Sequence, residues 1–171
     1  GRHEEALASL ARAEALGRHS ADLLYDRADA LYHLGRFAES AQCYSRLTEL
    51  QPQAPRAWCM RGMAWGRLER HEDALRDLDR AIALQPDYAD AWNNRAVALE
   101  KLSRHEEALA SCDRAIALEP GLAVAWSNRG VSLQSLDRLH EAIASYDRAI
   151  RLKPDFMEAH ADRGSVFNNL L

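Results

Sequence analysis

Apolar residues recur three and four apart along residues 89–102, at Trp92, Ala96, Leu99 and Leu102, and this spacing predicts a helix with one buried face. A second stripe follows Ser103 and Arg104, formed by Ala108, Leu109, Cys112, Ala115, Ile116 and Leu118, and it stops before Pro120. Proline has no amide proton and drives the residue before it out of the helical region, so Pro120 ends the second helix and turns the chain. Both stripes return at a fixed interval. Pro52, Pro86, Pro120 and Pro154 stand 34 residues apart, and the letters around them recur in register. Residues 89–122 and 123–156 show the repeat most plainly, and 55–88 repeat it with Trp58, Arg61, Gly62 and Ala74. Residues 21–54 are a looser copy, with Leu24 in place of Trp, Ser40 in place of Ala, and Leu47-Thr48 in place of Ala-Ile.

A strict period of about 20 to 50 residues marks a chain that stacks one supersecondary unit. The expected organisation is a single repeat domain over residues 1–171: the second half of a unit at 1–20, complete units at 21–54, 55–88, 89–122 and 123–156, and the first half of a unit at 157–171. Gly1 is not an initiator methionine, and the expectation is a fragment of a longer chain. The fold class is all-α, with ten helices: a second-type helix B at 3–16, then A and B pairs at 21–34 and 37–50, 55–68 and 71–84, 89–102 and 105–118, 123–136 and 139–152, and a last A at 157–170.

These residues resemble the tetratricopeptide repeat family over essentially the whole length. The family signature W-x2-L-G-x2-Y, A-x3-F, P stands here as Trp126-x2-Arg129-Gly130-x2-Leu133, then Ala142-x3-Tyr146, then Pro154. The departure is constant: arginine replaces leucine at Arg27, Arg61, Arg95, Arg129 and Arg163. The resemblance implies a right-handed α-solenoid of antiparallel helix pairs, with the A helices lining a concave groove that commonly holds a peptide.

Five arginines in one column of an apolar stripe require partners, because a guanidinium cannot be neutralised and is costly to bury alone. Asp79, Asp113 and Asp147 recur on helix B beside the same seam, so the expected pairs are Asp79 with Arg95, Asp113 with Arg129, and Asp147 with Arg163. A phosphate-binding arginine row is the alternative. Small residues at 28, 62, 96, 130 and 164 are expected where helices approach closely, and Trp58, Trp92 and Trp126 are expected to be buried between units.

Composition narrows the function. The 22 basic and 26 acidic residues give a formal net charge of -4, spread in short alternations, which disfavours a nucleic-acid partner. No apolar run approaches the roughly 18 residues of a membrane span, so no membrane partner is expected. Cys43, Cys59 and Cys112 are an odd count without CxxC spacing, which argues against disulfides or zinc and makes a cytoplasmic location the simplest setting. His3, His71 and His105 repeat because the unit repeats, and no HExxH, phosphate loop or nucleophile elbow occurs. Neither catalysis nor a cofactor nor a metal is expected.

Positions outside the apolar stripe of each A helix name a candidate peptide-binding groove. It comprises Asp22, Asp26 and Asp29 in an acidic zone with Tyr25, then Arg56, Met63 and Arg67 with Cys59 and Met60, then Asn93, Asn94, Val97 and Lys101, and finally Asn128, Val131 and Gln134 with Ser127. The carboxylate clamp of chaperone-binding relatives is not matched, since Tyr25, Cys59, Asn93 and Ser127 stand where its first lysine belongs. Asn94 and Asn128 are similar to two rungs of the asparagine ladder in O-linked N-acetylglucosamine transferases, a column interrupted by Asp26, Met60 and Asp162. The expected function is a protein-interaction scaffold for a protein or peptide ligand. The alternatives are the substrate-recruiting segment of a larger enzyme, such as a glycosyltransferase, and end-to-end self-association.

Overall fold

The computed structural model describes residues 4, 7, 8 and 20–169, the last by its backbone alone. The helix expected at 3–16 lies outside the described residues. Among those described, the chain forms nine helices and no strand. They are α1 Ala21–His33, α2 Phe37–Leu50, α3 Pro55–Arg67, α4 His71–Leu84, α5 Ala89–Lys101, α6 His105–Leu118, α7 Ala123–Ser135, α8 Leu139–Leu152 and α9 Met157–Asn169. The chain divides into two compact units, Gly1–Pro86 and Asp87–Leu171. In the first, α1 packs on α2, α2 on α3 and α3 on α4; in the second, α5 packs on α6, α6 on α7, α7 on α8 and α8 on α9.

Every B helix ends where its apolar stripe ends. Gln51, Gln85, Glu119 and Lys153 cap these helices with φ between -132 and -140, and a proline follows each. The pre-proline residue is thus extended, as the steric clash with the ring demands.

The A helices stop one residue short of the expectation, because Leu34, Leu68, Leu102 and Leu136 are cap residues rather than helical ones. The next residue is left-handed in each case: Gly35 at φ 75, Glu69 at 60, Ser103 at 57 and Asp137 at 59. Arg36, Arg70, Arg104 and Arg138 then donate their backbone N–H to Leu31, Trp65, Leu99 and Leu133, which closes the six-to-one bond of a Schellman motif.

The cores are built on close helix approach. A Cβ added at Gly130 would lie 2.5 Å from the Tyr146 ring, and one at Gly62 would lie 2.9 Å from Leu78 Cγ. Ala28 and Tyr44 form the corresponding pair of the first unit, both fully buried. Gly164 answers no such demand, with nothing within 4 Å of where a Cβ would stand. Ser40, a departure from the repeat, donates its hydroxyl to the Ala28 carbonyl at 2.8 Å inside this core.

The tryptophans correct the expectation of full burial. Trp58, Trp92 and Trp126 are half-buried, and the indole N–H of Trp58 and of Trp126 donates to the carbonyl of Pro52 and of Pro120 at 3.0 and 3.1 Å. His160 stands in the same place, its Nε2 2.9 Å from the Pro154 carbonyl. These rings clamp the turn after each proline while their apolar bodies pack.

Candidate functional site

Two column arginines, Arg61 and Arg129, each reach two positions sixteen residues away, one on the preceding B helix and one on the B helix of their own repeat. Arg129 donates through Nε to Asp113 at 2.7 Å and through Nη1 to Ser145 at 2.7 Å. Arg163 donates to Asp147 at 2.6 Å. These are two of the expected pairs; Asp79 belongs to the first unit and Arg95 to the second, where Arg95 donates to Ser111 at 2.7 Å. Arg61 inverts the pattern. Its fork closes on Asp77 of its own repeat at 2.6 and 2.7 Å, and its Nη1 reaches Thr48 at 2.9 Å and Ser45 at 3.4 Å on the preceding helix. An aspartate thus stands at one of the two places and a serine at the other. Asp77 fills the fork of Arg61 and Asp113 takes the Nε–H of Arg129, so both column arginines carry an acidic partner within the repeat array.

In the second unit, Ala96, Val97, Glu100 and Lys101 of α5 face Asn128, Val131 and Ser132 of α7 across an open cleft of about 210 Å³. Four expected groove residues, Val97, Lys101, Asn128 and Val131, therefore share one concavity. Val97 is 40% exposed in its wall. Glu100 anchors one side: Ser132 and Ser135 donate to it at 3.0 and 2.6 Å, and His105 Nδ1 lies 2.8 Å from it. Asn94 is half-buried beside these residues in sequence, and Gln134 accepts the Tyr146 hydroxyl at 3.2 Å.

Three positions read as groove surface are buried instead: Cys59, Asn93 and Ser127 are 1%, 8% and 5% exposed. Asn93 accepts a hydrogen bond from Asn128 Nδ2 at 2.9 Å, so one rung of the asparagine column is spent on an internal contact. Asn128 keeps its carbonyl oxygen and second N–H for other use.

In the first unit, zones expected to carry opposite charge meet. Asp29 accepts the Tyr44 hydroxyl and the Arg56 guanidinium, the latter at 2.8 Å, and Arg56 also lies 4.9 Å from the Tyr25 ring centre. Burial and the adjacent Asp29 push the Tyr44 hydroxyl far above the usual phenol range. Arg67 lies over Phe37 at 4.8 Å, Asp22 and Asp26 are exposed, and Met63 is half-buried. Met60 packs against the core of this unit.

One cluster escaped the reading of the sequence. Arg61, Trp65, Arg70, Asp73, Arg76 and Asp77 line a cleft of about 230 Å³ at α3 and α4. The available signal was a set of simultaneous departures within residues 55–88: Trp65, Asp73, Arg76 and Asp77 stand where the next two repeats have Leu, Glu, Ala and Ser.

Comparison with family models gives three matches described as tetratricopeptide repeat, over residues 1–63, 59–123 and 123–156. The chain belongs to the tetratricopeptide repeat proteins. No curated protein matches it. Among solved structures, the thermophilic TPR protein TTC0263 of Thermus thermophilus superposes with a TM-score of 0.82 at 24% identity, covering 98% of this chain and 92% of that one. YrrB, described as a TPR protein with an unusual peptide-binding site, gives 0.74 at 25% identity over 95% of this chain and 84% of that one. The first TPR of Spaghetti (RPAP3), solved bound to the HSP90 peptide SRMEEVD, gives 0.67 at 24% identity over 69% and 94%. Repeats of this family are in general protein-interaction scaffolds and generally non-catalytic. Among its described residues no helix is long and apolar enough to cross a membrane.

Proposed function

We propose that this TPR protein binds an extended segment of a partner protein along the faces of α5 and α7. The observation that carries the reading is the cleft of about 210 Å³ with Ala96, Val97 and Val131 in its wall and Lys101, Glu100 and Asn128 around them. An apolar side chain of the partner sits on the valines, the Lys101 ammonium faces an acidic neighbour, and the remaining groups of the Asn128 amide address the partner backbone. The peptide complexes or sites named for the RPAP3 and YrrB relatives agree with a peptide ligand as a class.

The test is affinity for peptides selected from a display library against the whole protein. Val97 is exposed enough to change without unfolding the chain, so Val97→Asp should keep the helical circular dichroism and weaken the selected peptides by about tenfold or more, the cost of putting a charge in an apolar contact. Lys101→Ala should weaken the acidic ones selectively. Equal affinity in both variants would rule out the groove.

A further inference from the structure

The cleft at the start of α4 shares no residue with the α5 and α7 groove and is peculiar to one repeat. In the other repeats Leu31, Leu99 and Leu133 occupy the place of Trp65 and are at most 2% exposed. Trp65 is too large to be enclosed there and emerges half-buried, with the Arg70 guanidinium 4.2 Å from its ring centre. The acid also differs. Glu39, Glu107 and Glu141 each give both carboxylate oxygens to one arginine, Arg36, Arg104 and Arg138, at 2.6 to 2.7 Å. Asp73 is one methylene shorter and divides its oxygens: Oδ2 takes Arg70, and Oδ1 takes Arg76. Arg76 has no counterpart in the next two repeats, where Ala110 and Ala144 stand.

The charges therefore do not balance. Arg61 is committed to Asp77 by both nitrogens of its fork, which leaves Arg70 and Arg76 sharing the single carboxylate of Asp73. Arg70 and Arg76 are 54% and 75% exposed, while Asp73 is 20% exposed beneath them. A local positive excess is thus held at the rim of a cleft in a chain whose formal net charge is -4.

We propose that this cleft binds a phosphate dianion through Arg70 and Arg76, with Asp73 as the internal occupant that the ligand displaces. A ligand carboxylate would compete with a tethered group of its own charge and geometry, and tethering gives Asp73 an effective concentration of about the millimolar range or higher. A phosphate monoester brings about -1.5 to -2 charge and three acceptor oxygens, enough to engage two guanidinium forks at once. The indole face is already covered by Arg70, so the cleft offers no stacking surface to a nucleobase, and its volume suits a single phosphate-bearing group.

The whole protein is titrated with inorganic phosphate at constant ionic strength, at a mildly alkaline pH that lies above the second pKa of the free ion and well above that of a phosphate monoester, about 6. Tryptophan emission and the Nε–H resonances of Arg70 and Arg76 report binding. Saturable phosphate-dependent changes, absent with acetate, are expected. Arg76→Ala installs the residue of the sister repeats, so the fold tolerates it, and it should weaken phosphate by about tenfold or more. Asp73→Asn removes the internal competitor and should tighten phosphate several-fold. A phosphoserine tripeptide titrated in parallel separates the sources: tighter binding than the free ion assigns the site to a phosphorylated chain, and equal binding assigns it to the ion. An unchanged response in Arg76→Ala, weaker binding in Asp73→Asn, or an equal response to acetate would overturn the proposal.

Discussion

Asp77 and Asp113 bind column arginines at nearly the same distances in very different surroundings. The Arg61–Asp77 pair is 17% and 8% exposed, whereas Asp113 is 54% exposed opposite Arg129. Removing one partner of a buried pair strands a charge and costs about 3 to 5 kcal/mol, while an exposed pair contributes about 0 to 1 kcal/mol. Asp77→Ala should therefore cost about 3 kcal/mol, the low end of the buried range since Arg61 retains some solvent, and Asp113→Ala less than about 1 kcal/mol. Chemical denaturation of the two variants checks the contrast, and equal losses would refute it. Asn128 also belongs at this scale. Replacing it by alanine removes the donor to Asn93 and leaves a polar group that is 8% exposed without its partner, at a cost of about 1 to 3 kcal/mol. A lower melting temperature in Asn128→Ala is thus expected before any effect on binding.

At the scale of the element, the helices were legible because both of their determinants are local: an apolar stripe at helical spacing and a proline that forbids continuation. The end of each A helix was less so. Glycine usually marks a left-handed cap, yet only Gly35 supplies one, and Glu69, Ser103 and Asp137 hold the same backbone without it. A left-handed non-glycine residue costs about 1 kcal/mol, which the two Schellman bonds offset. Glu69→Gly should raise the stability by up to about 1 kcal/mol, read as a higher melting temperature, with no change in helix content. No gain would mean that Glu69 makes compensating contacts.

Across the whole molecule, the site was legible where it follows the repeat and illegible where neighbouring A helices cover one another. The partners of Arg129 and Arg163 follow from a recurring column. The burial of Asn93 does not, because it depends on the approach of α5 to α7, which brings Asn128 onto it, and a stripe read on one helix carries no record of the next. The acid response also sums over repeats. Hydrogen bonds from Arg36, Arg104 and Arg138 hold the Glu39, Glu107 and Glu141 carboxyls below their ordinary range. A lowered folded pKa contributes stability that is complete above the unfolded value of about 4.3 and is lost as the pH falls through the folded values. The melting temperature of an Arg104→Ala, Arg138→Ala variant should thus fall below that of the parent at neutral pH and converge with it in strong acid. A constant gap down to that limit would exclude the linkage. The alternation of aspartate and serine about the arginine column has a consequence for the order of the repeats. A copy of residues 89–122 inserted directly after residue 54 would set its arginine between Ser45 and its own serine, with no acid, while a copy of 55–88 inserted after 122 would set its arginine between Asp113 and its own aspartate. The units are alike in shape but not interchangeable in sequence, and a shuffled array would betray its misplaced members by mismatched charge.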